Sequence, residues 1–318
     1  MKNIRAGVVG VGHMGQYHAV VYSELIDTNN ILLADVDAER VSPLAKRYGV
    51  PFYTDYRELF GKIDIASIAV PTTMHFAVAK EFLENGIHVL LEKPVARSME
   101  EAETLFALAD KKGLTLHIGH VERFNGAVQE LKKIVDTPYF IECRRLGPFA
   151  ARVQDDGVVL DLMIHDIDMV LNLVDSKVME INAMGSSIRS DKEDLANVQI
   201  YFENGCIANI LASRMTQNKI RSLAITQKDS YIFLDYTDQD IHVHRCASSE
   251  HLLTKDELKY KQESFVERIF VHKENPLKSE IKHFIDCATN GASRKVSVDK
   301  ELASLDVALQ VRKLIGFE

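Results

Sequence analysis

The N-terminal sequence Ile4-Arg5-Ala6-Gly7-Val8-Val9 leads directly into Gly10-Val11-Gly12-His13-Met14-Gly15, and Asp35 stands twenty positions after the last glycine. The apolar run predicts a buried strand, and the glycine spacing predicts a tight turn whose main chain a pyrophosphate can approach. A helix that begins in this loop would aim its free N–H groups at the phosphates. Asp35 closes the second predicted strand, where its carboxylate can accept hydrogen bonds from a ribose. The stretch predicts a dinucleotide site that comprises Gly10, Gly12, His13, Met14, Gly15 and Asp35.

The acid at the end of the second strand favours NAD over NADP, because a carboxylate there repels a 2′-phosphate. Arg40 and Lys46 follow closely in the sequence and keep NADP open as the less favoured cofactor. An ordinary glycine turn is the competing interpretation. The strand before the loop and the well-spaced acid count against it.

Length, composition and charge limit the class of protein. The chain has 318 residues, of which 46% are hydrophobic, enough for two domains with cores of their own and without an apolar run of membrane length. No charged leader with an apolar stretch and a cleavage site precedes the first strand, so we expect a cytoplasmic protein. The formal net charge of -8 disfavours nonspecific binding to nucleic acid. We expect a small-molecule partner, and neither nucleic acid nor a membrane.

Residues 1–122 alternate short apolar runs with segments of helical period. Strands are predicted over 31–36, 63–70, 88–91 and 114–118, and helices over 16–25, 39–48, 76–85 and 99–111. Gly86 and Gly113 suit the left-handed C-caps of two helices, and Ser98 with Glu101 forms a capping box. This alternation predicts an α/β fold with an N-terminal, doubly wound Rossmann domain.

Residues 123–318 predict a C-terminal α+β domain built on an open, mostly antiparallel sheet. Seven strands are indicated between residues 139 and 245, and helices over 125–134, 160–173, 277–289 and 300–314. The last helix is expected to pack back on the first domain. The polar segment Ser248–Lys273 is open between a loop and a helix that forms a lid or a subunit contact. Because an open apolar sheet face must be covered, we expect a homodimer or homotetramer.

Glu92-Lys93-Pro94 directly follows the predicted strand 88–91. Ligands bind at the carboxyl edge of a parallel sheet, so Lys93 is a candidate catalytic residue. A lysine beside a nicotinamide can hydrogen-bond the hydroxyl that is oxidised and favour the developing alkoxide. A surface lysine at the start of a loop is the alternative.

The second candidate set lies in the segment from Gly157 to Asp168, where Asp161 and His165 are four positions apart and share one face of the predicted helix. His165 can take the hydroxyl proton as hydride leaves, while Asp161 orients the imidazole or binds a neighbouring hydroxyl. Asp168 is expected to support His165. A solvated polar face or a satisfied buried histidine is the alternative, but the surrounding apolar residues favour a protected cleft.

These motifs together resemble the glucose-fructose oxidoreductase, inositol dehydrogenase and rhizopine-catabolism (Gfo/Idh/MocA) family. The resemblance implies that Lys93, Asp161 and His165 act on a sugar or cyclitol hydroxyl. It also implies a cis peptide before Pro94, a role for Glu92 near the nicotinamide ribose, and cofactor contacts from Pro71, Thr72 and His75. The matching stretches are Gly10 to Gly15, Asp35, Ala69-Val70-Pro71-Thr72-Thr73-Met74-His75, Glu92-Lys93-Pro94 and Gly157 to His165.

Within that family, the stretch from Gly119 to Asn125 and the stretch from Asp161 to Asp168 most resemble the branch that oxidises the 3-hydroxyl of UDP-N-acetylglucosamine or its uronic acid. The branch implies a 3-keto nucleotide sugar, which an aminotransferase converts into an amino sugar for lipid A or surface polysaccharide. A pyrophosphate requires cations, and guanidinium groups match phosphate geometry. The candidate substrate-binding residues, beside Asp161 and His165, are Arg123, Asn125, Arg144, Arg145 and Arg152.

Other chemistries find little support in the sequence. His242, His244 and Cys246 alternate along one strand as zinc ligands can, but a solvent or interface face explains the pattern and hydride transfer needs no metal. The four cysteines form no C-x-x-C pair, and no G-x-S-x-G elbow of a serine hydrolase occurs. We therefore predict an NAD-dependent sugar dehydrogenase without a metal. The alternatives are a dehydrogenase of inositol or another free sugar, and a non-catalytic NAD-sensing regulator.

Overall fold

The computed structural model describes residues 4–149, 156–246 and 264–317. In its N-terminal part, a six-stranded parallel sheet has the order β3-β2-β1-β4-β5-β6. The chain reverses direction across the sheet at β1, so the first strand and the glycine loop lie at the switch point where such sheets bind ligands. The strands are β1 (Ala6–Val9), β2 (Ile31–Ala34), β3 (Phe52–Tyr53), β4 (Ile65–Ile68), β5 (His88–Glu92) and β6 (Leu116–Gly119).

The helices of this part cover both faces of the sheet and carry the caps that the sequence predicts. Gly113 adopts a left-handed conformation after α4, and the Ser98 hydroxyl accepts a hydrogen bond from the Glu101 N–H at its start. The helices are α1 (His13–Leu25), α2 (Ala38–Tyr48), α3 (Thr72–Glu84) and α4 (Met99–Lys112). The Rossmann fold is thus confirmed.

The second sheet has eight strands in the order β14-β13-β12-β11-β7-β10-β9-β8. Every neighbouring pair is antiparallel except β7 and β10, which run parallel. Its inner face packs on helices, and its outer face exposes apolar side chains that include Met184, Tyr231 and Phe233. The strands are β7 (Phe140–Leu146), β8 (Val178–Ser186), β9 (Leu195–Phe202), β10 (Ile207–Ser213), β11 (Ile220–Thr226), β12 (Ser230–Asp235), β13 (Asp240–Cys246) and β14 (Ser264–Ile269).

Four further helices connect the second sheet to the first part: α5 (Gly126–Ile134), α6 (Ile164–Leu173), α7 (Pro276–Asn290) and α8 (Val298–Leu314). The apolar face of α7, with Ile281 and Phe284, joins the core around Tyr22 of α1. α8 packs against α4 and α6. The last two helices therefore return to the Rossmann part. We propose that the Rossmann domain comprises residues 1–122 and the C-terminal α+β domain residues 123–318.

Four local features differ from the sequence predictions. The short strand β3 was not expected, and the described end of the Ser248–Lys273 segment forms β14, which pairs with β13 instead of forming a loop or a helix. The segment predicted as one helix over 160–173 begins with a π-helical turn, Val159–Met163, before α6. α3 begins four residues earlier than the expected Phe76, because Thr72 already occupies its first turn.

Buried ion pairs join α6 to its surroundings. Arg123 donates to both carboxylate oxygens of Asp168 on α6, with its Nε at 2.7 Å from Oδ2, and also to Glu301 on α8, with Nη2 at 2.9 Å from Oε2. Ser304 donates to the same aspartate. Burial alone would raise the pKa of Asp168, but the Arg123 guanidinium outweighs it and lowers that pKa to about 2. The pairs hold α6, α8 and the Val121–Phe124 turn together.

Replacing Arg123 by methionine should destabilise the protein by about 3–5 kcal/mol, because two buried carboxylates lose their counter-charge. Urea unfolding at neutral pH measures this change. Arg57→Met is the control, since Arg57 pairs with Glu81 at 2.8 Å but is half exposed, and it should leave the stability close to that of the wild type. Equal losses in the two variants would show that the buried network does not stabilise the fold.

Candidate active site

The glycine loop between β1 and α1 is built by close backbone contacts. Gly10 has a φ of 81°, and a Cβ there would lie 2.7 Å from the Ala69 carbonyl oxygen. A Cβ on Gly15 would lie 1.8 Å from the Gly10 carbonyl oxygen. At Gly12, by contrast, a Cβ meets nothing within 4 Å. The loop is closed where the backbone packs and open where a phosphate approaches, as the sequence predicts.

The N-terminus of α1 suits the pyrophosphate of a dinucleotide. The helix begins at His13, so His13 and Met14 form its first turn, which holds no acidic residue. Gly12, its N-cap, has no side chain with which to cap the turn. The positive end of the helix dipole and the N–H groups of this turn favour a bound anion. These features fit the cofactor that the glycine loop predicts.

Asp35 lies directly after β2 and is 7% exposed. Its Oδ2 accepts a hydrogen bond from the Val11 N–H at 2.7 Å, and its Oδ1 accepts one from the Asp37 N–H at 2.9 Å. Each oxygen keeps a lone pair for a ribose hydroxyl. Arg40 lies 3.6 Å from Asp35 and 3.3 Å from Asp37, so two acids already compensate its charge. This environment favours the ribose of NAD over a 2′-phosphate.

The loop after β4 carries the residues that the family resemblance assigned to the cofactor. Pro71 is exposed and precedes the first turn of α3. Thr72 donates its hydroxyl to Asp156 at 2.6 Å, which links this loop to the second part of the chain. His75 is buried, with its Nδ1 2.7 Å from the Pro94 carbonyl and its Nε2 3.0 Å from the Val70 carbonyl. His75 thus positions two loops, and its ring nitrogens are occupied.

Glu92 is the last residue of β5, and its side chain is buried against α1. The Nε2 of His18 lies 2.8 Å from Glu92 Oε1. Burial raises the pKa of Glu92, but the hydrogen bond and charge of His18 outweigh it, so that this pKa falls below its usual value. Glu92 therefore ties the strand end that presents Lys93 to the helix of the glycine loop. The peptide bond between Lys93 and Pro94 is cis, as the resemblance implies.

The structure brings Lys93 and Asp161 together. Lys93 Nζ donates to the Asp161 carbonyl oxygen at 2.6 Å and to its Oδ1 at 3.2 Å. The lysine side chain is 15% exposed and the aspartate side chain is 27% exposed. The ammonium group is therefore held at the carboxyl edge of the parallel sheet, and both side chains remain partly exposed.

His165 occupies the first turn of α6, close to the Lys93–Asp161 pair. Its pKa lies well below the usual value, first because burial disfavours the charged ring and then because Lys93 and Arg145 repel a proton. The ring packs edge-on against His120 at 6.3 Å between centroids. Among the described residues, no group hydrogen-bonds its buried Nδ1. Asp161 thus does not orient the ring through Nδ1, and the lowered pKa favours the neutral form of His165.

The turn that presents Asp161 and His165 is held by a residue that sequence reasoning missed. Glu193 is fully buried and accepts a hydrogen bond at its Oε1 from the Val159 N–H at 3.2 Å. Its backbone carbonyl accepts from the Val158 N–H at 2.9 Å. A Cβ on Gly157 would lie 1.9 Å from the Glu193 carboxyl carbon. The glycine of the motif therefore makes room for the acid that caps this segment.

The arginines expected to bind a pyrophosphate lie elsewhere. Arg123 and Arg145 are 4% and 3% exposed, and each holds two carboxylates. Arg144 is exposed on the outer face of the second sheet, whereas Arg152 lies outside the described residues. Asn125 caps α5 and is buried. Sequence reasoning also missed Lys219 and Arg221, two cations for which the described part of the chain offers no ion-pair partner.

Two further expectations concern supporting residues and metals. Asp168 accepts a hydrogen bond from Arg123, and its Oδ2 lies 4.0 Å from His120 Nδ1. It was expected to support His165, but its hydrogen bonds in the described structure go to other residues. Within residues 4–149, 156–246 and 264–317, no group of three or more His, Cys, Asp or Glu side chains could hold a metal ion. In the same ranges no helix has the length and apolar character to cross a membrane.

Comparison with known families identifies both parts of the chain. Residues 4–120 match the model of the oxidoreductase family with an NAD-binding Rossmann fold, and residues 126–230 match that of the GFO/IDH/MocA C-terminal domain. The chain belongs to the Gfo/Idh/MocA family. It is therefore an oxidoreductase with NAD as its cofactor, and the expected family, fold class and cofactor are confirmed.

Individual members of the Gfo/Idh/MocA family are similar over most of the chain. UDP-N-acetylglucosamine 3-dehydrogenase of Acidithiobacillus ferrooxidans is 35% identical over 251 residues, 78% of this chain and 80% of that one. Its solved structure has a TM-score of 0.88 at 30% identity and covers 99% of this chain and 98% of its own. The scyllo-inositol 2-dehydrogenase of Bacillus subtilis is 22% identical over 96% of this chain and 92% of its own. Levoglucosan dehydrogenase in complex with NADH and L-sorbose shares the fold, with a TM-score of 0.82 at 19% identity over 99% and 97% of the two chains.

In this Gfo/Idh/MocA protein, Gly12→Ala should separate cofactor binding from folding. The added methyl group fits the protein without cofactor but occupies the space that a pyrophosphate needs. We expect the NAD dissociation constant to rise about tenfold or more, a loss of about 1.4 kcal/mol. Unfolding stability without NAD should change by no more than about 1 kcal/mol, the scale of an N-cap substitution. Calorimetric titration and thermal unfolding measure the two quantities.

Gly15→Ala is the matched comparison, because its methyl group collides with the Gly10 carbonyl. It should lower stability and NAD affinity together. If Gly12→Ala binds NAD as tightly as the wild type, the pyrophosphate does not lie over this loop.

Lys93→Met should raise the pKa of His165. The substitution removes the cation that disfavours the protonated ring. In the wild type the His165 ring stays neutral at pH values below the usual histidine pKa of about 6.5. As the pH is lowered, the ring of the variant should become protonated at a higher pH than the ring of the wild type. NMR titration of the His165 ring, assigned by its absence from His165→Gln, measures the shift. Lys80→Met, at an exposed lysine of α3, is the control and should leave the His165 titration unchanged. An unchanged His165 pKa in Lys93→Met would show that the charge of Lys93 does not act on this ring.

Proposed function

We propose that this protein oxidises the 3-hydroxyl of UDP-N-acetylglucosamine to a ketone with NAD. The observation that carries the proposal is the arrangement of Lys93, Asp161 and His165 at the carboxyl edge of the Rossmann sheet. The similarity to the UDP-N-acetylglucosamine 3-dehydrogenase of Acidithiobacillus ferrooxidans supports the choice of substrate. A 3-keto nucleotide sugar is a substrate for transamination, which fits amino-sugar synthesis for lipid A or surface polysaccharide.

The residues that hold the cofactor in this proposal are those of the glycine loop, Asp35, the loop with Pro71 and Thr72, and the strand end with Glu92 and Lys93. NAD, when bound, supplies the acceptor for the hydride that leaves the carbinol carbon. His165 is neutral and takes the proton of the hydroxyl, so the alcohol loses one hydride and one proton. Lys93 donates a hydrogen bond to the same oxygen and stabilises the negative charge that develops on it.

Asp161 sets the position of the lysine in this mechanism. Its carbonyl oxygen and its carboxylate both accept hydrogen bonds from Lys93 Nζ, which leaves one N–H for the substrate oxygen. Burial, and then the charge of Lys93, favour the neutral form of His165 by lowering its pKa. The pair thus gives the site one donor and one base at neutral pH.

The outer face of the second sheet supports a second element of the proposal, a homodimer or homotetramer in the cytoplasm. Its exposed apolar side chains, among them Met184, Tyr231 and Phe233, form a surface that association would cover. Cys143, whose side chain lies on the inner face of the same sheet, is a free thiol, in keeping with the proposed compartment.

The deciding experiment is an incubation of the purified protein and NAD with UDP-N-acetylglucosamine, its uronic acid, free N-acetylglucosamine and inositols. Reduced nicotinamide and the 3-keto product are followed, with a keto-acid acceptor present in case the cofactor stays bound. Turnover should be fastest with UDP-N-acetylglucosamine. Turnover of inositol alone would show that inositol is the substrate instead of UDP-N-acetylglucosamine. If none of these compounds is turned over, the result would favour a non-catalytic NAD sensor.

Lys93→Ala and His165→Ala should each lower kcat about 10²- to 10⁴-fold, the contribution of a positioned acid or base. NAD affinity measured by calorimetry should stay within a few-fold of the wild type for His165→Ala, which does not line the glycine loop. Lys80→Ala is the matched control and should keep full activity. Full turnover in both active-site variants would contradict the assigned mechanism.

A further inference from the structure

A cleft of about 450 Å³ lies between α1 and the second sheet. Its walls come from one face of α1, the Val121–Phe124 turn, the start of β11, the turn after β12 and the start of α7. Tyr17, Lys219 and Arg221 line it together with Glu122 and Asn275. The mechanism above uses none of these five residues.

Arg221 is a cation on the inner face of the sheet that has no direct ion-pair partner among the described residues. It stands directly opposite Arg145 in the register of β11 and β7, where like charges destabilise a sheet. Arg145 is neutralised, because it donates to Asp166 at 2.8 Å and to Glu122 at 3.0 Å. Within the part of the chain that the structure describes, the Arg221 side chain has no hydrogen bond or ion pair. Glu122, Asp166 and Asp161 offset part of the Arg221 charge from a distance, but among the described residues no carboxylate pairs with it directly.

Lys219 adds a second positive charge at the mouth of the same cleft. It is exposed, two positions before Arg221, and its pKa is lowered first by the charge of Arg221 and then by burial. The two acids of the lining, by contrast, are already paired: Glu122 with Arg145 at 3.0 Å and Glu24 with Lys278 at 2.8 Å. The cleft therefore carries two cations that a bound anion can neutralise.

Arg221 lies within electrostatic reach of the reacting groups. Its charge lowers the pKa of His165, and Asp161 offsets part of the charge of Arg221. An anion held at Arg221 would therefore lie near Asp161 and His165. At the other wall, Tyr17 is 52% exposed and its ring packs edge-on against His13 at 5.1 Å between centroids. An exposed ring held in this way offers a face on which a base can stack.

We propose that this cleft binds the nucleoside diphosphate half of a nucleotide sugar, with Arg221 and Lys219 on the diphosphate and Tyr17 against the base. This assignment rests on the proposed function, which it deepens, and it replaces Arg123 and Arg145 as the pyrophosphate ligands. Arginine contacts phosphate oxygens in a bidentate manner and lysine contacts them as a point charge. The site thereby selects a charged, extended substrate over a free sugar.

The test measures binding of UDP to the protein saturated with NADH, so that the glycine loop is occupied, by calorimetry. Arg221→Gln and Lys219→Gln should each raise the UDP dissociation constant about 10- to 100-fold, the scale of one charge-assisted hydrogen bond. Tyr17→Leu should weaken the binding of UDP and leave the binding of inorganic pyrophosphate unchanged. Lys228→Gln, at an exposed lysine in the turn at the far end of β11, is the matched control and should bind UDP like the wild type.

Thermal unfolding and NAD affinity verify that each variant is folded, and Lys219→Gln, at an exposed position, keeps the test valid if Arg221→Gln is unstable. Equal UDP affinity in the wild type and both charge variants overturns the assignment. Turnover of UDP-N-acetylglucosamine by a protein that binds no UDP also overturns it, while leaving the proposed function intact. UDP binding that requires Arg221, with no turnover of any nucleotide sugar, upholds the cleft and defeats the proposed function.

Discussion

The buried ion pairs on α6 are the constraint on which the rest of the site depends. Asp166 and Asp168 stand one and three residues after His165, and each carboxylate is held through two oxygens by a buried guanidinium. Charges taken out of water are costly unless their geometry is satisfied, so such pairs tolerate few alternative positions. They fix the rotation and depth of the helix, and with them the position of the imidazole.

The same cations set the protonation of the site. Arg145 neutralises Asp166, yet its remaining field, together with that of Lys93, disfavours the imidazolium form of His165. A base must be unprotonated before it can accept a proton. In the described part of the chain no carboxylate hydrogen-bonds the buried Nδ1 of His165. Arg145 thus bears on the protonation of this ring through its charge, although it does not line the cleft.

The sequence predicted those features that depend on local backbone geometry. These features depend only on residues that are close in the sequence, as do the spacing of Gly10, Gly12 and Gly15 and the position of Lys93 at a strand end. The Rossmann part and its cofactor loop were therefore predictable. The π-helical turn at Asp161 was not, because Glu193 imposes it from a distant part of the chain. The roles of Arg123 and Arg145 were misassigned for a similar reason. An arginine in a sequence looks alike whether it meets a phosphate or a buried carboxylate, and only the fold shows which partner it reaches.

Arg221 lies on β11, away from the elements that carry the reacting groups. In the proposed assignment, one part of the protein therefore performs the reaction and another binds the nucleoside diphosphate half of the substrate. The reacting groups belong to a rigid assembly of α6, β5 and their buried charges, in which a substitution disturbs several partners at once. Among the described residues the Arg221 side chain at the start of β11 has no hydrogen bond or ion pair, so under the proposed assignment it can change while hydride chemistry at the other wall persists. A scaffold divided in this manner can acquire new substrates through a few exchanges on one strand, without rebuilding the machinery that oxidises them.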